Sequence, residues 1–139
     1  MKNTILAITG ICGSFVSALI GGIDSAVITL VMFMLIDYVS GMIVAGVFHN
    51  STKTETGTLE SRAGWKGLCK KLMTFVFIIV ANRLDIEMGT SYIRDGVCIA
   101  FITNELISIV ENAGLMGLPI PVMIRNAIDV LKQKEGEKE

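Results

Sequence analysis

Three carboxylates fall where a charge is costly. Asp37, Glu105 and Glu111 sit inside long apolar stretches of this 139-residue sequence. A carboxylate at the centre of a bilayer costs about 2.5–3.5 kcal/mol on insertion scales, so it turns toward protein or water. Asn104, Ser108, Glu111 and Asn112 recur at spacings of three and four, which makes a polar stripe on a helix with Glu105 at its margin. Such a stripe serves as internal hydrogen bonds in a bundle, or as the wall of a water-filled path; Glu111 and Asn112 could also simply approach the membrane surface. Paired carboxylates elsewhere suggest acid–base catalysis, but no His, Ser or Cys partner supports that here. His49, the single histidine, lies in a polar loop and receives no role. Cys12, Cys69 and Cys98 match neither zinc nor redox spacing, and no glycine-rich phosphate loop occurs. No metal and no cofactor is expected, and Cys12 and Cys98 read as packing residues in apolar helices.

A second set of residues suits helix association. Gly10, Ser14, Ala18 and Gly22 are four apart, with Gly13, Ser17 and Gly21 in a row beside them. Small residues at this spacing let helix backbones approach closely in lipid, within a subunit or between subunits. Gly41 and Ala45 extend the face that carries Asp37 in the same way. Trp65, Lys66, Lys70 and Lys71 form a group that suits a membrane-surface anchor better than a nucleic-acid site. Asp85 either pairs with Arg83 or marks the outer end of a helix.

These residues need elements to hold them, and the composition says which. Hydrophobic residues make up 52% of the chain and charged residues 18%, with a formal net charge of −1. Soluble domains carry about 25% charge, and a chain this short cannot bury so much apolar surface. A soluble enzyme and a disordered tail are disfavoured, and the missing basic footprint disfavours nucleic-acid binding. No charge falls between Asn3 and Ile23, a run long enough to span a bilayer. A signal peptide is the weaker reading, because its basic region would be Lys2 alone and the run is too long. The next apolar segment, 25–48, follows a turn at Gly21–Ser25, where Asp24 or Ser25 can cap the helix. A third segment, 68–88, crosses only if lysines at one end and Arg83 at the other snorkel; it could instead lie in the interface. A fourth, 92–117, ends at Gly117, Pro119 and Pro121, which break the helix.

The expected fold is therefore an all-α integral membrane protein, a single domain spanning 1–139. It has about four transmembrane helices, approximately 4–23, 25–48, 68–88 and 92–117, with three as the runner-up. Between them lies a cytoplasmic loop, 49–67. The tail, 119–139, opens with a short amphipathic helix whose Met123, Ile124, Ala127, Ile128 and Leu131 share one side. Four crossings place ten of the twelve basic residues, and both termini, in the cytoplasm.

The order of motifs resembles the phage holin family that includes the toxin-secretion and phage-lysis holins of clostridia. The matching stretches are Leu35-Ile36-Asp37-Tyr38-Val39-Ser40-Gly41 and Ser61-Arg62-Ala63-Gly64-Trp65-Lys66-Gly67-Leu68-Cys69-Lys70-Lys71-Leu72, followed by Asp85. The most specific is Asn104-Glu105-Leu106-Ile107-Ser108-Ile109-Val110-Glu111-Asn112, continued by Gly114 and Gly117-Leu118-Pro119-Ile120-Pro121. The resemblance covers roughly 35–131. It implies a non-enzymatic protein that accumulates in the host cytoplasmic membrane, associates with itself and with lipid, and permeabilises the membrane at a set time. An endolysin, or in some relatives a toxin, then passes without a required direct contact. On this reading Asp37, Glu105, Ser108, Glu111 and Asn112 line the lesion, and Gly10, Ser14, Ala18, Gly22, Gly41 and Ala45 drive association. The rival readings are a small oligomeric ion channel or transporter using Asp37 and Glu105, and an antiholin-like membrane regulator.

Overall fold

A computed structural model describes residues 1–136. Among these residues the chain is all-helical, with no strand. α1 spans Lys2–Leu19, α2 Ser25–Ile43, α3 Ser61–Met88, α4 Ile93–Leu115 and α5 Val122–Gly136. α2 continues without a break into a π-helical turn, Val44–Phe48, which ends at His49 with a left-handed φ of 49°. The last three residues of the expected tail lie outside the described residues.

α4 is the organising helix. It packs against α2 along most of its length and against α3 and α5, whereas α2 and α3 scarcely touch each other. The buried core is narrow: Ile20, Val27, Leu30 and Met34 meet Ile78 of α3 and Cys98 and Ile102 of α4. Phe77 and Phe101 pack as a tilted pair with ring centroids 6.1 Å apart. α5 contacts α4, with Ile128 as its buried residue. α1 stands apart and buries none of its residues.

Most of the apolar surface faces outward. Ile5, Leu6, Ile11 and Phe15 on α1, Met32, Leu35 and Val39 on α2, and Leu72, Phe77 and Val80 on α3 are all exposed. A soluble monomer rarely shows contiguous apolar patches beyond a few hundred Å². Lipid is the solvent that fits this surface. α1 and the continuous Ser25–Phe48 helix are each long and apolar enough to cross a membrane.

Two boundaries differ from the sequence expectation by four residues or more. α1 ends at Leu19, four residues early, because Gly21 and Gly22 take φ of 80° and 101°. α3 begins at Ser61 instead of residue 68, so Trp65, Lys66, Lys70 and Lys71 stand on a helix and the preceding loop shortens to 49–60. The residues 61–67 contain no helix breaker other than Gly64 and Gly67. Gly64 has a packing reason: a Cβ there would stand 3.3 Å from the Tyr38 hydroxyl of α2.

Candidate functional site

Polar residues buried among these helices gather into two knots. The first lies halfway along α2. Lys71 Nζ donates to Asp37 Oδ2 at 2.8 Å and to the Glu105 carboxylate, joining α3 to α2 and α4. All three side chains are largely buried, Lys71 14% exposed and each acid 8%. Asn112 closes the far side of Asp37: its Nδ2 donates to Asp37 Oδ1 at 3.1 Å, to the Asp37 carbonyl at 3.2 Å and to Ser40 Oγ at 2.9 Å. Lys53, from the 49–60 loop, reaches back to within 3.7 Å of Asp37 Oδ1 while staying 56% exposed. The loop is held at this end of the bundle by Asn50, whose Nδ2 donates to the Leu115 carbonyl at 3.2 Å.

Helical geometry explains the meeting. Asp37 and Gly41 face α4 one turn apart, and Glu105 and Asn112 are seven residues apart on one face of α4. Gly41 keeps that approach open, since a Cβ there would lie 3.7 Å from Asn112 Nδ2. Ala45, one turn further, is buried. On the Asp37-Gly41-Ala45 face expected for association, Asp37 and Ala45 are buried within the chain and Gly41 is half-buried.

The second knot ties the opposite end. Arg94, at the start of α4, donates from its guanidinium to Asp24 Oδ2 at 2.8 Å, to the Gly22 carbonyl at 2.9 Å and to the Ile20 carbonyl. Asn82 of α3 donates to the Leu19 carbonyl at 3.0 Å. The last carbonyls of a helix have no partner within it, and here two other helices supply them for α1. Asp24 also caps α2, accepting from the Val27 amide at 3.0 Å. The Arg94 guanidinium, aided by that amide, holds the Asp24 carboxyl below the ordinary aspartate range. Asp85 accepts from Thr90 Oγ1 at 2.6 Å and from the Ile93 and Arg94 amides at 3.1 and 2.8 Å, capping α4 from the end of α3. Asp85 therefore does not pair with Arg83, whose partner is Glu87 at 3.1 Å.

The structure sorts the sequence candidates plainly. Asp37, Glu105 and Asn112 come together, and Ser108 lines the cavity beside them. Glu111 is exposed and lies outside the knot. Lys71 is not a surface anchor; the two carboxylates draw it inward, while Trp65, Lys66 and Lys70 remain exposed. Gly10, Ser14, Ala18 and Gly22 line an open trough that runs along α1 into the following turn, where Arg94 holds the Gly22 carbonyl. Gly117, Pro119 and Pro121 interrupt the helix between α4 and α5, with Gly117 at φ 81°. Sequence reasoning missed Lys71 as a partner and Arg94 as a clamp. Charge balance held the signal for Lys71: two acids in apolar runs require a nearby cation, and Lys71 borders the apolar run 72–82. Among the described residues no group of His, Cys, Asp and Glu could hold a metal ion.

An outward apolar surface, two helices able to span, and internal charges that are paired define a small helical membrane protein. Comparison with known proteins gives its family. The profile of the bacteriophage holin family matches residues 14–133, and the chain belongs to that family. It is 35% identical over 128 residues to an uncharacterised protein of Listeria monocytogenes, covering 91% of this chain and 86% of that one. It is 38% identical over 114 residues to an uncharacterised protein of Halalkalibacterium halodurans, covering 78% of each. A protein of Bacillus phage phi105 described as a probable holin is 30% identical over 110 residues, covering 78% of this chain and 76% of that protein. No solved structure matches the chain.

Proposed function

We propose that this protein is a non-enzymatic holin that assembles with copies of itself in the bacterial cytoplasmic membrane and opens lesions through which an endolysin reaches the cell wall. The observation that carries this reading is the family match across residues 14–133. The arrangement of the helices supports a topology of four crossings. The α1–α2 and α3–α4 turns share one end through Arg94 and Asn82, and the 49–60 loop and the end of α4 share the other through Asn50. The basic residues of the loop, of the start of α3 and of the tail then put that second end, and both termini, in the cytoplasm.

In the mechanism, Lys71 bridges Asp37 and Glu105, with Lys53 beside Asp37, while protomers are dispersed. An unpaired acid facing lipid is costly, so the paired state is the resting one. Above a critical density the protomers associate, through the open small-residue trough of α1. The α2–α3–α4 contacts then rearrange, and Asp37, Glu105, Ser108 and Asn112 line water instead of one another. Glu111, already exposed, borders the same path. The weak α2–α3 contact makes that seam the one most ready to open.

The test is inducible expression in bacteria together with an endolysin that lacks a secretion signal. Growth should stop abruptly, the membrane potential should collapse, and the cells should lyse. Cells that keep their potential and retain the endolysin would reject the reading. Collapse of the potential with the endolysin still trapped would favour a small ion channel.

A further inference from the structure

The knot around Lys71 borders a cavity that the lesion mechanism does not use. It has a volume of about 510 Å³ and lies between the start of α3, the middle of α4 and the returning 49–60 loop. Its charged lining is Lys53, Lys66, Lys70, Lys71, Asp37 and Glu105. Four lysines against two carboxylates leave a surplus of two positive charges. Lys71 and Lys53 face the two acids, so the surplus charge sits on Lys66 and Lys70, which are exposed with Lys53 at the mouth. On the same flank of α3 as Lys66 and Lys70, one and two turns further, Met73 and Phe77 are exposed, and Phe101 of α4 packs against Phe77. A cationic mouth above an exposed apolar strip matches one class of ligand, an anionic head on an acyl chain.

We propose that this cavity binds the phosphate headgroup of an anionic glycerophospholipid, with Lys53, Lys66 and Lys70 around the phosphate and an acyl chain along Met73 and Phe77 at the α3–α4 seam. Basic pockets between helices at the cytoplasmic side take such headgroups as a class, and lysine serves phosphate as a point charge. A lipid seated there joins the loop, α3 and α4, and so ties the bilayer's composition to the stability of the resting protomer. Exposed Lys66 and Lys70 lie one turn apart on α3 and can close on one phosphate without displacing the buried pair.

The experiment uses the full chain purified in a neutral detergent and follows its melting temperature. Phosphatidylglycerol, phosphatidylcholine of the same chains, and inorganic phosphate are added separately. Phosphatidylglycerol should raise the melting temperature well above the effect of phosphatidylcholine, and inorganic phosphate should not reproduce the rise. The K53Q/K66Q/K70Q variant should lose the preference, with affinity for phosphatidylglycerol falling on the order of fivefold for each lysine removed. A K53R/K66R/K70R variant should keep it. Equal stabilisation of the unmodified protein by the two lipids would overturn the proposal. So would an equal effect of inorganic phosphate, or full preference in the glutamine variant. The first two outcomes need no variant to fold, and none depends on whether the protein lyses cells.

Discussion

The two polar knots sit about 20 Å apart along α2, from Asp24 to Asp37, and solve different problems. At the Arg94 end, one guanidinium meets the carbonyls of Ile20 and Gly22 and the half-exposed Asp24. Two of those partners are backbone carbonyls of a turn, fixed by the fold, and the third is the side chain of Asp24, open to solvent. At the Lys71 end, one ammonium stands between two buried carboxylates from two different helices. Its partners are side chains, the local charge is not balanced by Lys71 alone, and the completing cation is a loop lysine that is itself mostly in water. The first knot is a fastener and the second a latch. Under the proposed mechanism the protein needs both, a fixed end to keep its hairpins together and a middle that can come apart.

The largest expected effect separates the two. Lys71→Leu leaves Asp37 and Glu105 buried without a cation, and breaking a buried pair in this way costs about 3–5 kcal/mol. Unfolding in detergent should show that loss, and accumulation in the membrane should fall. Arg94→Leu should cost less, about 2–3 kcal/mol, because its charged hydrogen bonds end on a turn that water can reach. Its signature should be local, with faster protease cleavage or cysteine labelling at Gly21–Ile23 and an unchanged α3–α4 core. If the two variants lose equal stability, the distinction between fastener and latch fails.

A smaller effect tests the fastened turn from the other side. Gly21 has φ of 80°, and a Cβ added there would fall 2.4 Å from Asn82 Oδ1. Gly21→Ala should therefore cost about 1–2 kcal/mol in strain and a displaced Asn82. Gly22→Ala has space for the methyl but the same backbone problem at φ 101°, and should cost somewhat less. Equal tolerance of alanine at both positions would remove the argument that Asn82 holds the end of α1.

The smallest effect is acid dependence at the same turn. Arg94 and the Val27 amide depress the Asp24 carboxyl below its ordinary value of 3.8. A depressed acid contributes stability above its unfolded value and loses it as pH falls through the folded one. Thermal melts should show a shallow loss setting in as pH drops below about 4, and Asp24→Asn should remove that component. Asp24 is half exposed, so the amplitude is small. An unaltered acid limb in Asp24→Asn would show that the Arg94 contact contributes nothing.

Much of the architecture was legible in the sequence because its cause is local. The apolar runs mark the helices, Gly21–Gly22 marks the first turn, and Pro119 and Pro121 mark the last break. Asp37, Glu105 and Asn112 stand out as polar residues in apolar surroundings. What the sequence did not yield is pairwise. Lys71 lies 34 residues from each of the acids that hold it, and no periodicity joins them. Next to Lys70 at the edge of an apolar run, it has the pattern of a snorkelling anchor, and only the packing of three helices turns it inward. Arg94 reads as an ordinary loop base until the carbonyls it meets, more than seventy residues away, are brought beside it. The start of α3 was hidden because Gly64 and Gly67 in a polar stretch resemble a loop; Gly64 is there for the approach of Tyr38.

The central claim is that Asp37 and Glu105 are kept for an opened state and not for the stability of the closed one. The most direct test replaces the whole triad with leucine, D37L/K71L/E105L, and measures lysis onset with an endolysin that lacks a secretion signal. Exchanging a complete buried ion cluster for apolar side chains is often neutral or stabilising, so the variant should insert and accumulate as the unmodified protein does. The account predicts that it then fails to release the endolysin. Lysis on the normal schedule would contradict it.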